Sequence, residues 1–209
     1  MRKELQFGRK IECKNSMEDE QELPLSLLTP TFLESINNKI YFYSDVSRDS
    51  ILQLNKTLHT ISNDIICHAQ IVQGVRDSIF LHINSNGGEL FSGIAAVDHI
   101  LNIQKEVKIV SVIDGVAASA ASLMSIVASK RLMHKHSRIL IHQLSSNIWG
   151  KYSDIEDEKL NLDNNMKMIK EIYLQYTKIP KTKLSEMLKH DIFLNASECV
   201  KNGLVDEVI

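Results

Sequence analysis

Apolar residues along this chain recur at two spacings, and the alternation between them predicts a layered α/β core. Lys39–Tyr43 (KIYFY) is short, aromatic and β-branched, and reads as a strand. Over Ser50–Cys67, Ile51, Leu54, Leu58, Ile61 and Ile65 follow at steps of three and four, which places them on one helix face. Ser78–Asn84 (SIFLHIN) predicts a second strand, running into Gly87–Gly88. Glu89–Gln104 predicts an amphipathic helix through Leu90, Ile94, Val97, Ile100 and Leu101. Val107–Ile113 predicts a third strand, ended by Asp114–Gly115. Val116–Ala128 carries no charge and many small residues, the composition of a buried helix lying close to its neighbours. Arg138–His142 (RILIH) predicts another strand. Strands joined by single-helix crossovers imply a parallel sheet with right-handed connections.

A long polar helix is expected next, over about Ser153–Tyr176. Ile155, Leu162, Met166, Ile169, Tyr173 and Tyr176 recur there at steps of seven, four, three, four and three. One apolar stripe on a charged helix needs a partner surface. Periodicity alone leaves two readings: the stripe covers the chain's own core, or the helix projects and packs on another subunit.

Composition narrows the class. The 209 residues suit one domain with an appended helical element, and 44% apolar with 24% charged residues is ordinary for a globular chain. A net charge of −2 gives no reason to expect nucleic acid or an anionic membrane as partner. No run approaches the roughly 18 apolar residues of a membrane span. Cys13, Cys67 and Cys199 are far apart and odd in number, which fits a reducing compartment. The opening MRKELQFGRK lacks the apolar core of a secretory signal. Residues 1–24, polar and including EDEQE, are expected to form a mobile tail or removable leader, with the folded domain over 25–209.

Four segments carry candidate chemistry. In Gly115-Val116-Ala117-Ala118-Ser119-Ala120, a serine at the turn from strand to helix would present its hydroxyl at the carboxyl edge of a parallel sheet. The helix N-terminus offers unpaired N–H groups to a developing oxyanion. Ser122 and Ser125 share the segment, so residue type alone does not select Ser119. In Asn84-Ser85-Asn86-Gly87-Gly88, the glycines either turn N–H groups toward a ligand or form a plain strand-to-helix turn. His142 ends an apolar strand, as a base or as an ordinary edge residue. Asp191, just before Phe193-Leu194, either orients an imidazole or is a solvated loop carboxylate; Asn195 is placed to cap the helix that follows. His134 and His136 would share one strand face if that segment were extended, but no third metal ligand accompanies them.

Taken in order, INSxGG, GxAAS, RxxIHQ and DxFLxAxExxxxGLVD resemble the ClpP family, from about Leu28 to Val208. The resemblance implies a ClpP/crotonase-like fold of stacked βαβ units with a protruding helical handle, matched by 153–176. It implies Ser119 as nucleophile, His142 as base and Asp191 as orienting acid, with oxyanion-hole amides from Gly87 or Gly88 and from Ala120. It further implies heptameric rings stacked as a tetradecamer, polypeptide substrates, an AAA+ unfoldase such as ClpX, ClpA or ClpC, no metal or organic cofactor, and a cytoplasmic location, or the host cytoplasm for a viral chain. Phe80 and His82 fall where the family docks its unfoldase. The chain departs from the family pattern at Asn86, where proline is usual, and at Ala120, where methionine is common. It departs again at Leu144-Ser145-Ser146, at Lys189-His190, where ring–ring ion pairs are usual, and at His82, where an aromatic ring is common. Three rivals share the fold: a non-catalytic ring subunit, a thioester-enolate enzyme and a dedicated processing protease.

Overall fold

In a computed structural model, residues 33–71 and 77–209 are described; the expected 1–24 tail lies outside them. Leu33–Ile36 (β1) and Lys39–Phe42 (β2) form an antiparallel pair. Arg48–Ile71 (α1) follows and buries Ile51, Leu54, Leu58 and Ile61, the face set by the three–four spacing. Ile79–Ser85 (β3) pairs parallel with β2 and alternates strictly, Ile79, Leu81, Ile83 and Ser85 inward against Phe80, His82 and Asn84 half-buried. Leu90–Ile103 (α2) crosses back to Ile109–Ala118 (β4), parallel to β3.

Here the structure departs from expectation. The strand does not end at Asp114–Gly115 but continues through Ala118, so the buried helix, Ala120–Ile126 (α3), is shorter than predicted. Pairing overrides the helix propensity of the alanines. The second half of β4 lies against Arg138–Leu140 (β6), with Val116, Ala117 and Ala118 opposite Arg138, Ile139 and Leu140. Asp114–Gly115 lie instead within β4, at the bulge where the register with β3 shifts, and Val116 donates its N–H to Asn84 Oδ1 at 3.3 Å. All seven residues of α3 are buried, as its small side chains allow.

The first half of β4 pairs with Lys130–Met133 (β5), which the apolar pattern does not signal. His134 and His136 lie beyond it, His136 in a turn rather than on an extended face. Tyr152–Tyr176 (α4) is the expected long helix, and over its second half the stripe covers the chain's own core. Ile169 and Tyr173 are buried and Met166 and Tyr176 pack on the core, while Ile155 and Leu160 are exposed beside Trp149 and Tyr152. Lys181–Met187 (α5), Phe193–Leu194 (β7), Ala196–Lys201 (α6) and Glu207–Val208 (β8) complete the chain. Asn195 caps α6 as expected: its Oδ1 accepts from Glu198 N at 3.1 Å, and its own N–H donates back to Glu198 Oε2 at 2.8 Å. The sheet runs β1-β2-β3-β4-β5-β8, with β6 and β7 branching from the far half of β4. No helix among the described residues is long and apolar enough to cross a membrane.

Candidate active site

Ser119 stands between β4 and α3 with φ 53° and ψ −126°, a left-handed conformation that costs a non-glycine residue about 1–3 kcal/mol. Its surroundings over-determine that strain. Its N–H donates to Leu140 O at 2.9 Å, and its carbonyl accepts from both Ser122 N at 3.0 Å and Ser122 Oγ at 2.6 Å. Ser125 Oγ donates to Ser122 O at 2.9 Å. The hydroxyls of Ser122 and Ser125 are thus held inside α3, and of these three serines only Ser119 reaches the neighbouring cavity.

His142 and Asp191 are brought together by strand pairing. β6 and β7 run antiparallel with Leu140 opposite Phe193, so continuing two residues along each chain puts His142 beside Asp191. His142 Nδ1 and Asp191 Oδ1 are 2.9 Å apart, the ring N–H donating to the carboxylate. That tautomer leaves Nε2 as the accepting nitrogen. His142 is fixed from behind by Gln143 N, which donates to Leu188 O at 2.7 Å. Asp191 is the open side of the arrangement, its side chain 77% exposed against 28% for His142.

The two glycines differ in their hydrogen bonding. Gly87, at φ 92°, donates its N–H to Ser85 Oγ at 3.1 Å and accepts from Val46 N at 2.8 Å, so its amide is occupied. Gly88, at φ 149°, lines the cavity, and its N–H makes no hydrogen bond among the described residues. The N–H of Ala120 is at the first position of α3, where helix amides have no intrahelical partner.

These groups surround a cavity of about 250 Å³ lined by Gly88, Ser119, Ala120, His142, Leu144 and Tyr173, among others. The arrangement joins a hydroxyl, an oriented imidazole and two candidate amide donors, the parts acyl transfer needs. Among the described residues the Ser119 hydroxyl makes no hydrogen bond, so serine and histidine face one cavity without being joined. Sequence reasoning missed the wall contributed by α4: Tyr173 registers in the pattern only as one more apolar position. The signal available was its hydroxyl, which on a buried face requires a partner.

A profile of the Clp protease family matches residues 35–209. The chain belongs to the Clp protease family. An ATP-dependent Clp protease proteolytic subunit from Deinococcus radiodurans is 28% identical over 170 residues, covering 80% of this chain and 83% of that one. A protein of the same description from Borrelia garinii is 28% identical over 188 residues, covering 87% and 97%. A solved structure of a ClpP1 mutant from Listeria monocytogenes superposes with a TM-score of 0.71 at 22% identity, over 83% of this chain and 91% of that one. The fold is therefore the ClpP/crotonase-like one, and the chain is a serine peptidase of the ClpP type.

The departures from the Clp family pattern acquire structural partners. Lys189 and His190 both turn to Glu186 of α5, at 2.8 and 3.4 Å, and hold that carboxyl below the usual range. Phe80 and His82 lie on the half-buried side of β3, with the His82 ring stacked on Tyr41 at 4.7 Å. His82 Nδ1 is 2.9 Å from Asp114 Oδ2, which also accepts from Tyr43 Oη at 2.6 Å, while His134 Nε2 lies 3.3 Å from Oδ1. Burial and the Asp114 carboxylate push the Tyr43 phenol up to about 12. Cys199 is buried against Leu194 O, and burial likewise raises its thiol to about 12, too high for a nucleophile at neutral pH.

Proposed function

We propose that the chain cleaves unfolded polypeptides by acyl-enzyme chemistry with Ser119, His142 and Asp191 as its triad. His142 Nε2 takes the Ser119 hydroxyl proton as Oγ attacks the peptide carbonyl carbon. The carbonyl π electrons move onto oxygen, and the resulting oxyanion is held by the N–H groups of Gly88 and Ala120. The imidazolium, stabilised by Asp191, returns the proton to the departing amine as the C–N bond breaks. Water then repeats the sequence on the acyl-serine, releasing the acid and restoring the hydroxyl. Gly87, its amide already donated, shapes the turn rather than binding the oxyanion.

One observation carries this reading: a strained serine at a strand–helix turn shares a cavity with a histidine whose other nitrogen is bonded to a carboxylate. The exposed apolar side chains Ile155 and Leu160 on the otherwise charged first half of α4, with Trp149 just before it, support assembly into rings, taken as stacked heptamers enclosing the active sites. An AAA+ unfoldase in the cytoplasm is the expected partner, and its contact surface would include Phe80 and the polar cluster around His82.

The test is intact mass after exposure to a fluorophosphonate, on the wild type and on Ser119→Ala. A single adduct on the wild type and none on the variant is expected. An unlabelled wild type, tested as isolated chain and as assembled oligomer, would favour a non-catalytic ring subunit.

A further inference from the structure

Tyr173 is fully buried on α4, and its Oη lies 2.6 Å from Ser122 Oγ, which in turn lies 2.6 Å from the carbonyl oxygen of Ser119. Donor counting gives this chain a direction. A carbonyl oxygen only accepts, so the single Ser122 hydroxyl proton goes to Ser119 O. Ser122 Oγ must then accept from Tyr173, whose phenol is the donor. Burial raises the Tyr173 pKa above its ordinary value, with the Ser122 hydrogen bond opposing, so the phenol keeps its proton and the direction does not reverse at working pH.

The carbonyl at the end of this chain belongs to the peptide unit that carries the Ala120 N–H. That unit is planar and trans, so its C=O and N–H point in opposite directions. Fixing the Ser119 carbonyl toward Ser122 therefore fixes the Ala120 N–H away from it; both residues line the cavity, and the Ala120 nitrogen would lie 3.1 Å from a Cβ built on Gly87. Hydrogen bonds accepted by the carbonyl also polarise the amide and strengthen its N–H as a donor. The aim matters because Ser119 is in a strained conformation that would relax if released.

We infer that Tyr173 is a positioning residue for the oxyanion hole, acting through Ser122 on the Ser119–Ala120 peptide without touching substrate. The inference rests on the acyl-transfer reading above. It also makes the seating of α4, nearly six turns of which precede Tyr173, a condition for an aligned amide donor rather than only a support for the cavity wall.

The experiment compares Tyr173→Phe, Ser122→Ala and the double variant, as full chains, in hydrolysis of a blocked leucine 4-nitrophenyl ester and of its thionoester. Active sites are titrated with the fluorophosphonate so that rates refer to folded, reactive protein. Complete loss of an oxyanion donor costs about 10²–10³ in kcat, and a donor that is present but misaimed costs less, on the order of 10-fold. Each single variant is expected to lose about that much in kcat with KM little changed, and the double variant to lose no more than either single. The ester-to-thionoester rate ratio should fall in all three, because sulfur already forfeits the amide contacts the variants weaken. A packing role alone would reduce the titratable fraction and leave that ratio unchanged. An unchanged ratio in any variant that folds, or losses that add in the double variant, would overturn the inference; if Tyr173→Phe does not fold, Ser122→Ala decides. A wild type that neither hydrolyses the ester nor takes the label would overturn the peptidase reading and this inference with it. An active wild type beside equally active variants would overturn this inference alone.

Discussion

Gly87 packs so closely against Ser119 that a Cβ on the glycine would stand 2.7 Å from the serine Cβ and 2.6 Å from the Ala118 carbonyl oxygen. The second contact is with backbone, which cannot swing aside, and φ 92° is itself unfavourable for an L side chain. The close approach is what lets the β3–α2 turn and the β4–α3 turn share one cavity.

Gly87→Ala is therefore expected to lose about 2–4 kcal/mol of unfolding free energy, from strain and overlap together. It should also lose fluorophosphonate labelling at Ser119 at temperatures where it remains folded. Gly93→Ala is the control: its added Cβ would lie 2.9 Å from the Ala120 Cβ, on a helical residue without positive φ. There the helix pair can shift, and a loss of about 1–2 kcal/mol is expected. Urea unfolding of both variants measures the difference; equal losses would mean the backbone contact at Gly87 relaxes.

Asp191 bonds His142 from an exposed position, which sets the size of its effect. Where an orienting aspartate is buried, replacing it by asparagine costs about 10⁴ in kcat through the wrong imidazole tautomer. The tautomer argument applies equally here, but water can partly replace a carboxylate that is 77% exposed. Asp191→Asn is expected to lower kcat by roughly 10²–10³ with KM little changed. A loss under threefold in steady-state peptide hydrolysis would remove Asp191 from the triad.

Much of this was legible in the sequence because the deciding patterns are local. The face of α1, the alternation of β3, the cap at Asn195 and each of the four motifs taken singly depend on residues close together in the chain. What was not legible depends on pairing across the chain. Val116–Ala118 is strand because Arg138–Leu140 lies beside it, and alanine gives no local sign of that. That the Gly87 amide is hydrogen-bonded and the Gly88 amide is not turns on Val46 and Ser85, remote or non-periodic partners. Tyr173 is hydrogen-bonded to Ser122, 51 positions away in the chain, and no periodicity connects the two.

Arg131 joins three segments that the GLVD motif brings together. It donates to Tyr176 O at 2.6 Å and Gly203 O at 2.7 Å, and it pairs with both oxygens of Asp206. Burial alone would raise the Asp206 pKa, but the Arg131 hydrogen bonds outweigh it and the net shift is downward. A lowered folded-state pKa stabilises the fold above the unfolded value, about 3.9, and that contribution is lost as pH falls through the folded value. Arg131→Met is expected to cost about 1–3 kcal/mol at pH 7, since it strips a charged donor from the part-buried Tyr176 and Gly203 carbonyls, while the pair with the exposed Asp206 is screened by solvent. It should also flatten the fall in stability below about pH 4. Chemical unfolding at a series of pH values tests both; a variant with the wild-type acid slope would show that Asp206 keeps its low pKa without the arginine.

Trp149 and Leu160 are 99% and 60% exposed, on the approach to α4 and on its outer half, while Tyr173 farther along the same helix is buried. Side chains that the single chain leaves in water contribute little to its own stability, so truncating them should leave the chain folded. If they pack on a neighbouring subunit, truncation removes apolar burial worth about 1.5–3 kcal/mol for each large side chain at each contact, multiplied around a ring. Trp149→Ser with Leu160→Ser is therefore expected to shift the protein from large oligomers to smaller species in sedimentation velocity at micromolar concentration. The circular dichroism of the dissociated chain should stay unchanged. An unaltered sedimentation profile would place the assembly contacts elsewhere. A dissociated but folded chain that still labels at Ser119 would further show that the triad closes without a neighbour.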